Sequence, residues 1–138
     1  MKKKTFIIPA ESATGRNKEF LNYLANTCSC KNRERAGLIE TIIKNATTDE
    51  FNGIIEIVRN FLSGIHPKTN RQFVTKMRPY KRVLRKLNSP KLNKRTKKQL
   101  LIQSVTKKPM KGGFFPLASL ILPVLSTIAA PIIQHFIK

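Results

Sequence analysis

The last carboxylate in this 138-residue chain is Glu56, and nothing after it is acidic. That constraint divides the chain into three zones. Residues 1–65 carry ten basic and all seven acidic side chains, a net of +3; residues 66–111 carry sixteen basic and no acidic ones; residues 112–138 carry only Lys138. A one-signed segment cannot neutralise itself through its own ion pairs, and the whole chain stands at +20. The length allows one small domain with extensions. A charge of that size on so small a chain points to a polyanionic partner, either nucleic acid or an anionic membrane surface. Seven carboxylates and two histidines supply little material for acid–base or metal chemistry. A sizeable hydrolase or cofactor enzyme is therefore excluded, and no cofactor is expected.

The first zone reads as helical. Met1–Lys4 has the charged start of a secretory signal, but the apolar run Phe6–Ile8 is too short for one and ends at Pro9. Residues 1–15 read as a flexible leader, because Glu11 to Gly15 are polar and small. Within residues 16–65, three apolar stripes follow at helical spacing. Phe20, Leu21 and Leu24, with Tyr23 beside them, form the first. Ala36, Ile39 and Ile43, widened by Leu38 and Ile42, form the second. Phe51, Ile54, Ile55, Val58, Phe61 and Leu62 form the third. Thr47 with Glu50 fits a capping box at the third helix's start, and Gly64 fits a left-handed stop before Pro67. Such short helices bury a modest core.

Cys28-Ser29-Cys30 invites a metal site, but no second thiol pair exists and His66 and His135 stand far away in sequence. Four-ligand zinc sites need more, so no metal is expected. Neither histidine has a spaced nucleophile or carboxylate partner, which argues against catalysis. The turn Asn45–Thr48 between the second and third helices resembles a helix-turn-helix. The helix after it carries Asp49, Glu50 and Glu56, the wrong sign for a DNA groove.

In residues 66–111 basic and apolar side chains interleave at helical spacing. Val83, Leu84 and Leu87 mark one side of a helix, and Lys81, Arg82, Arg85 and Lys86 the other. Pro79 starts or kinks this helix near Tyr80. After Pro90, Asn93 fits an N-cap, and Leu100, Leu101 and Val105 lie behind Lys94, Arg95, Lys97 and Lys98. No recognition-helix pattern, zinc-finger spacing or aromatic ladder accompanies them, so phosphate contact without sequence readout is expected. The candidate DNA contacts are Lys76, Arg78, Lys81, Arg82, Arg85, Lys86, Lys91, Lys94, Arg95, Lys97 and Lys98.

From Gly112 to Ile137 no charged side chain occurs, a run of 26 residues that exceeds the ~20 a helix needs to cross a bilayer. Pro116, Pro123 and Pro131 interrupt it. Two readings stay open. In one, the tail is membrane-active or membrane-anchored through Phe114, Phe115, Leu117, Leu120, Ile121, Leu122, Val124, Leu125, Ile128, Ile132 and Ile133, with the basic zone on anionic headgroups. In the other, it packs on the first zone or self-associates.

The junction Met110-Lys111-Gly112-Gly113-Phe114-Phe115-Pro116-Leu117 resembles that of the adenovirus core protein X family, precursors of a small DNA-condensing peptide. In that family a polybasic stretch is followed by Met-basic-Gly-Gly, an apolar residue, Pro-Leu and an Ala/Ile/Pro-rich tail. The close match covers residues 107–133. The order of features over the whole chain resembles the X-like proteins of adintoviruses and related Polinton (Maverick) elements. The resemblance implies cleavage after Gly113 by an adenovirus-type maturation protease. Met110 would be the anchoring side chain, Gly112–Gly113 the narrow segment in the cleft, and Phe114 the residue beyond the cut.

The expectation is therefore an all-α protein: a small helical bundle over 16–65, a basic helical region over 66–111 and an apolar, proline-containing helical tail over 112–138. Its expected role is non-enzymatic. It binds and condenses double-stranded DNA without sequence preference, in the virion core and in the host nucleus during assembly. Self-association or contact with capsid proteins is expected as well.

Overall fold

The computed structural model describes Pro9 and residues 11–29, 34–64, 75–106 and 116–128. The regular elements are α1 (Ala13–Arg16), α2 (Lys18–Ser29), α3 (Arg35–Lys44), α4 (Thr48–Leu62), a 3-10 turn (Arg78–Tyr80), α5 (Lys81–Leu87), α6 (Lys94–Thr106) and α7 (Leu117–Leu125). The protein is all-α, as its apolar periodicity requires.

Helix α4 is the hub. The expected capping box opens it: the Glu50 N–H donates to Thr47 Oγ1 at 3.1 Å, and the Thr47 N–H donates to Glu50 Oε1 at 2.9 Å. Gly64, at φ +81°, follows its end in the left-handed region where glycine is unstrained. Phe51, Gly53, Ile54, Ile55, Ile57, Val58 and Phe61 are all buried, a wider band than one stripe. Helices α1, α2, α5 and α7 share the work of covering it.

The leader is not free at its C-terminal end. Residues 13–16 form α1, which docks on α4. Thr14 is fully buried; its N–H donates to Glu56 Oε1 at 2.8 Å and its hydroxyl to the Gly53 carbonyl at 3.2 Å. Arg16 pairs with Asp49 at 2.6 Å, and Asn17 donates to the same carboxylate at 2.9 Å. Gly53 of α4 permits the close approach of α1. A Cβ added at Gly53 would lie 3.1 Å from the Ala13 carbonyl oxygen.

The three compositional zones share one core. Leu21, Leu24, Ile39, Ile43, Ile54 and Val58 from the first join Met77, Tyr80, Leu84, Leu87, Leu101 and Val105 from the second, and Leu117, Leu120, Ile121 and Val124 from the third. Helix α7 packs chiefly on α2 and also touches α4. The structure thus takes the packing alternative for residues 117–128. Of the residues assigned to lipid, Leu117, Leu120, Ile121, Val124 and Leu125 are buried in protein, and Ile128 packs against the same core. Leu122 is 39% exposed. The cause is demand from α2 and α4, whose apolar faces need a cover and find it in this tail. No helix among the described residues is long and apolar enough to cross a membrane. Phe114, Phe115, Ile132 and Ile133 lie outside the described residues.

Neighbouring residues of α7 should therefore behave oppositely in water. Ile121→Ala removes a side chain with no exposure and should cost ~2–5 kcal/mol, whereas Leu122→Ala should stay within ~0.5 kcal/mol. Urea unfolding of the full chain reads the difference; two equal, small effects would mean α7 is not part of the core.

Candidate nucleic-acid interface

Burial of the apolar side of each basic helix decides where its cations go. Val83, Leu84 and Leu87 are buried, which turns Lys81, Arg82, Arg85 and Lys86 outward. Buried Met77 and Tyr80 pin the segment before them and leave Lys76 and Arg78 exposed. In α6, Leu101, Ile102 and Val105 are buried, and the expected cap is present, with the Thr96 N–H donating to Asn93 Oδ1 at 2.8 Å. Lys91, Lys94 and Arg95 are exposed, while Lys97 and Lys98 are half-buried. Nine of the eleven candidate DNA contacts thus reach solvent on a folded scaffold.

Lys98 differs from the rest. Its Nζ donates to the backbone carbonyls of Ala46 at 2.7 Å and Lys44 at 3.3 Å, and it stands 5.9 Å from the centre of the Phe51 ring. It thereby satisfies carbonyls at and just beyond the C-terminal end of α3, the negative end of that helix's dipole. Burial lowers its affinity for a proton, as does the Lys94 charge, against the opposing effect of Glu50. Lys97 shifts the same way, through burial and the nearby Arg59. Lys94 donates to the Thr48 hydroxyl at the start of α4, and Lys76 to Ser119 Oγ on α7 at 3.4 Å.

Folding adds two cations from the first zone that sequence order concealed. Arg59, on the last turn of α4, donates to Asn88 Oδ1 at 3.3 Å and so sits between α5 and the start of α6. Lys44, at the end of α3, lines a cleft with Lys94, Arg95 and Lys98. Conversely, the carboxylates are used close to home. Asp49 pairs with Arg16, whose hydrogen bond holds it below the usual carboxylate range. Glu40 pairs with Lys44 at 2.8 Å, Glu50 closes the capping box and Glu56 holds the Thr14 amide. The Arg16–Asp49 and Lys44–Glu40 pairs involve no side chain from 75–106.

Met110, Gly112, Gly113 and Phe114 lie outside the described residues, as do Cys30, His66 and His135. Cys28 is buried, which pushes its thiol up from 9.0 to about 11 although Arg35 opposes the shift. Among the described residues no cluster of three His, Cys, Asp or Glu side chains is arranged to hold a metal ion. Compared with protein-family models, curated proteins and solved structures, the chain matches none.

The lysines should separate by stability. Lys98→Ala leaves two helix-end carbonyls without their donor and should cost about 1 kcal/mol in denaturant unfolding. Lys86→Ala removes an exposed charge from a strongly cationic protein and should be neutral or slightly stabilising. Equal losses would place Lys98 among the ordinary surface cations.

Proposed function

We propose that this chain is a structural core protein of a double-stranded DNA virus or virus-derived element, which binds and condenses duplex DNA without sequence preference. The observation that carries this reading is the set of outward cations on α5 and α6, two helices without a carboxylate, with Arg59 beside Asn88 and Lys44 beside Lys94, Arg95 and Lys98. Phosphates are the ligand such a face suits. Each neutralised phosphate releases condensed counterions, so binding gains free energy at low salt and loses it as salt rises. Nothing on this face resembles a device for reading base edges, which supports backbone contact without sequence selection. The likeness of the Met110–Leu117 junction to the adenovirus core protein X family supports a place in the virion core, with nuclear assembly. It also supports processing after Gly113 by an adenovirus-type maturation protease.

The membrane-active alternative draws on the same tail and an anionic bilayer. It requires α7 to leave its seat, since its apolar face is buried against α2 and α4. For that reason the DNA reading is preferred.

Anisotropy titrations of the full chain with random-sequence duplexes across a salt series test the proposal. If six to ten side chains meet phosphate, affinity should fall roughly 10³–10⁵-fold between 50 and 200 mM salt. Replacing Lys81, Arg82, Arg85 and Lys86 with Gln should flatten the slope by about four units while sequence preference stays absent. Absence of binding at low salt, or binding indifferent to salt, would overturn it.

Processing is tested separately, by intact mass after incubation with an adenovirus-type maturation protease. A fragment ending at Gly113 is expected. The remainder should co-elute with it at high protein concentration, because α7 is held by buried apolar contacts. An uncut chain would remove the processing step from the proposal.

A further inference from the structure

Between the end of α3 and the first turns of α6 lies a cleft of about 370 Å³, lined by Lys44, Lys94, Arg95, Lys98, Gln99 and Ile102. Four of its six lining residues are cations, and none is a carboxylate. Glu40 reaches Lys44 from the adjacent turn of α3 but does not line the cleft. Two of the cations are tethered. Lys98 is bonded to the Ala46 and Lys44 carbonyls, and Lys94 to the Thr48 hydroxyl. Their ordering cost is met by the fold before any ligand arrives. Arg95 is exposed at the mouth and offers the planar fork that suits two oxygens of one phosphoryl group. Ile102 and the lysine stems supply apolar wall beside the cations. Lys94 and Lys98 stand one turn apart on α6, and after burial the Lys94 charge is the second cause that lowers the proton affinity of Lys98.

We propose that this cleft is an anion site for a single phosphoryl group, gripped by Arg95 and Lys94 and backed by Lys98 and Lys44. As the seat of a backbone phosphodiester it rests on the proposed DNA binding. As a phosphoryl site it stands on the geometry of the cleft. It gives an otherwise uniform cationic face one position where a phosphate is preferred.

Amide chemical shifts of the full chain, titrated separately with inorganic pyrophosphate and with a random duplex of about 20 base pairs, decide the matter. The expected result is saturable shifts at residues 94–99 with pyrophosphate. Arg95→Gln and Lys94→Gln should each weaken them about tenfold, and Lys18→Gln, which removes the same charge from exposed α2 surface, should leave them unchanged. Unchanged thermal melts of the variants exclude unfolding as the cause. Three outcomes overturn the site: no saturable shift at 94–99 with either probe, equal weakening by Lys18→Gln, or indifference to both cleft variants. Duplex binding that bypasses 94–99, with no pyrophosphate shift there either, would sink the cleft and spare the DNA reading. Pyrophosphate binding at the cleft without duplex binding would do the reverse, and identify a site for free phosphate.

Discussion

Helix α4 presents Phe51, Ile54, Ile55, Ile57, Val58 and Phe61 around much of its circumference, so a single neighbour cannot keep water from it. The remainder of the architecture answers that demand. Helix α1 closes over Gly53, α2 and α7 take further sides, and α5 takes another. Because these neighbours come from all three compositional zones, the polycationic stretch cannot behave as an independent charged strand. Val83, Leu84, Leu87, Leu101 and Val105 hold it in the shared core, and its cations inherit fixed positions from that anchoring.

Charge segregation follows from the same packing. Asp49 and Glu56 are drawn to the α1–α4 contact and Glu50 to the helix cap, which places them where they secure the fold. The first turn of α6 carries Lys94, Arg95 and Lys97 and no acidic residue, although the N-terminal end of a helix disfavours positive charge. A folded chain in this state repels itself, and the core must outweigh that repulsion. Any polyanion that binds the native face relieves it and stabilises the fold by mass action.

Local features were legible in the sequence because they depend on neighbours in the chain. Thr47 with Glu50, Gly64, Asn93, and the division of α5 into apolar and basic sides are all settled within one or two helical turns. Features that depend on which helix meets which were not. Polar, small residues 11–15 looked like a loose leader until Gly53 gave α1 a place to dock. The tail's hydrophobicity suits lipid and protein equally, and only the fold shows that α7 lies on the apolar faces of α2 and α4. Within the candidate interface, periodicity identified the exposed cations but could not distinguish Lys98, whose partners lie more than fifty residues away. Nor could it bring in Arg59 and Lys44, which belong to a segment of nearly balanced charge.

The seat of α7 also joins the two competing roles of the tail. While the chain is continuous, α7 meets α2 and α4 as part of the same molecule, which makes the contact unimolecular. A cut after Gly113 would make the same contact bimolecular without changing any of its buried side chains. At high concentration the fragment would stay docked, and the basic helices α5 and α6 would keep their scaffold. On dilution it would leave, exposing Leu117, Leu120, Ile121, Val124 and Leu125 together with the groove they had covered. The strength of α7 packing would then set the concentration at which tail and body part.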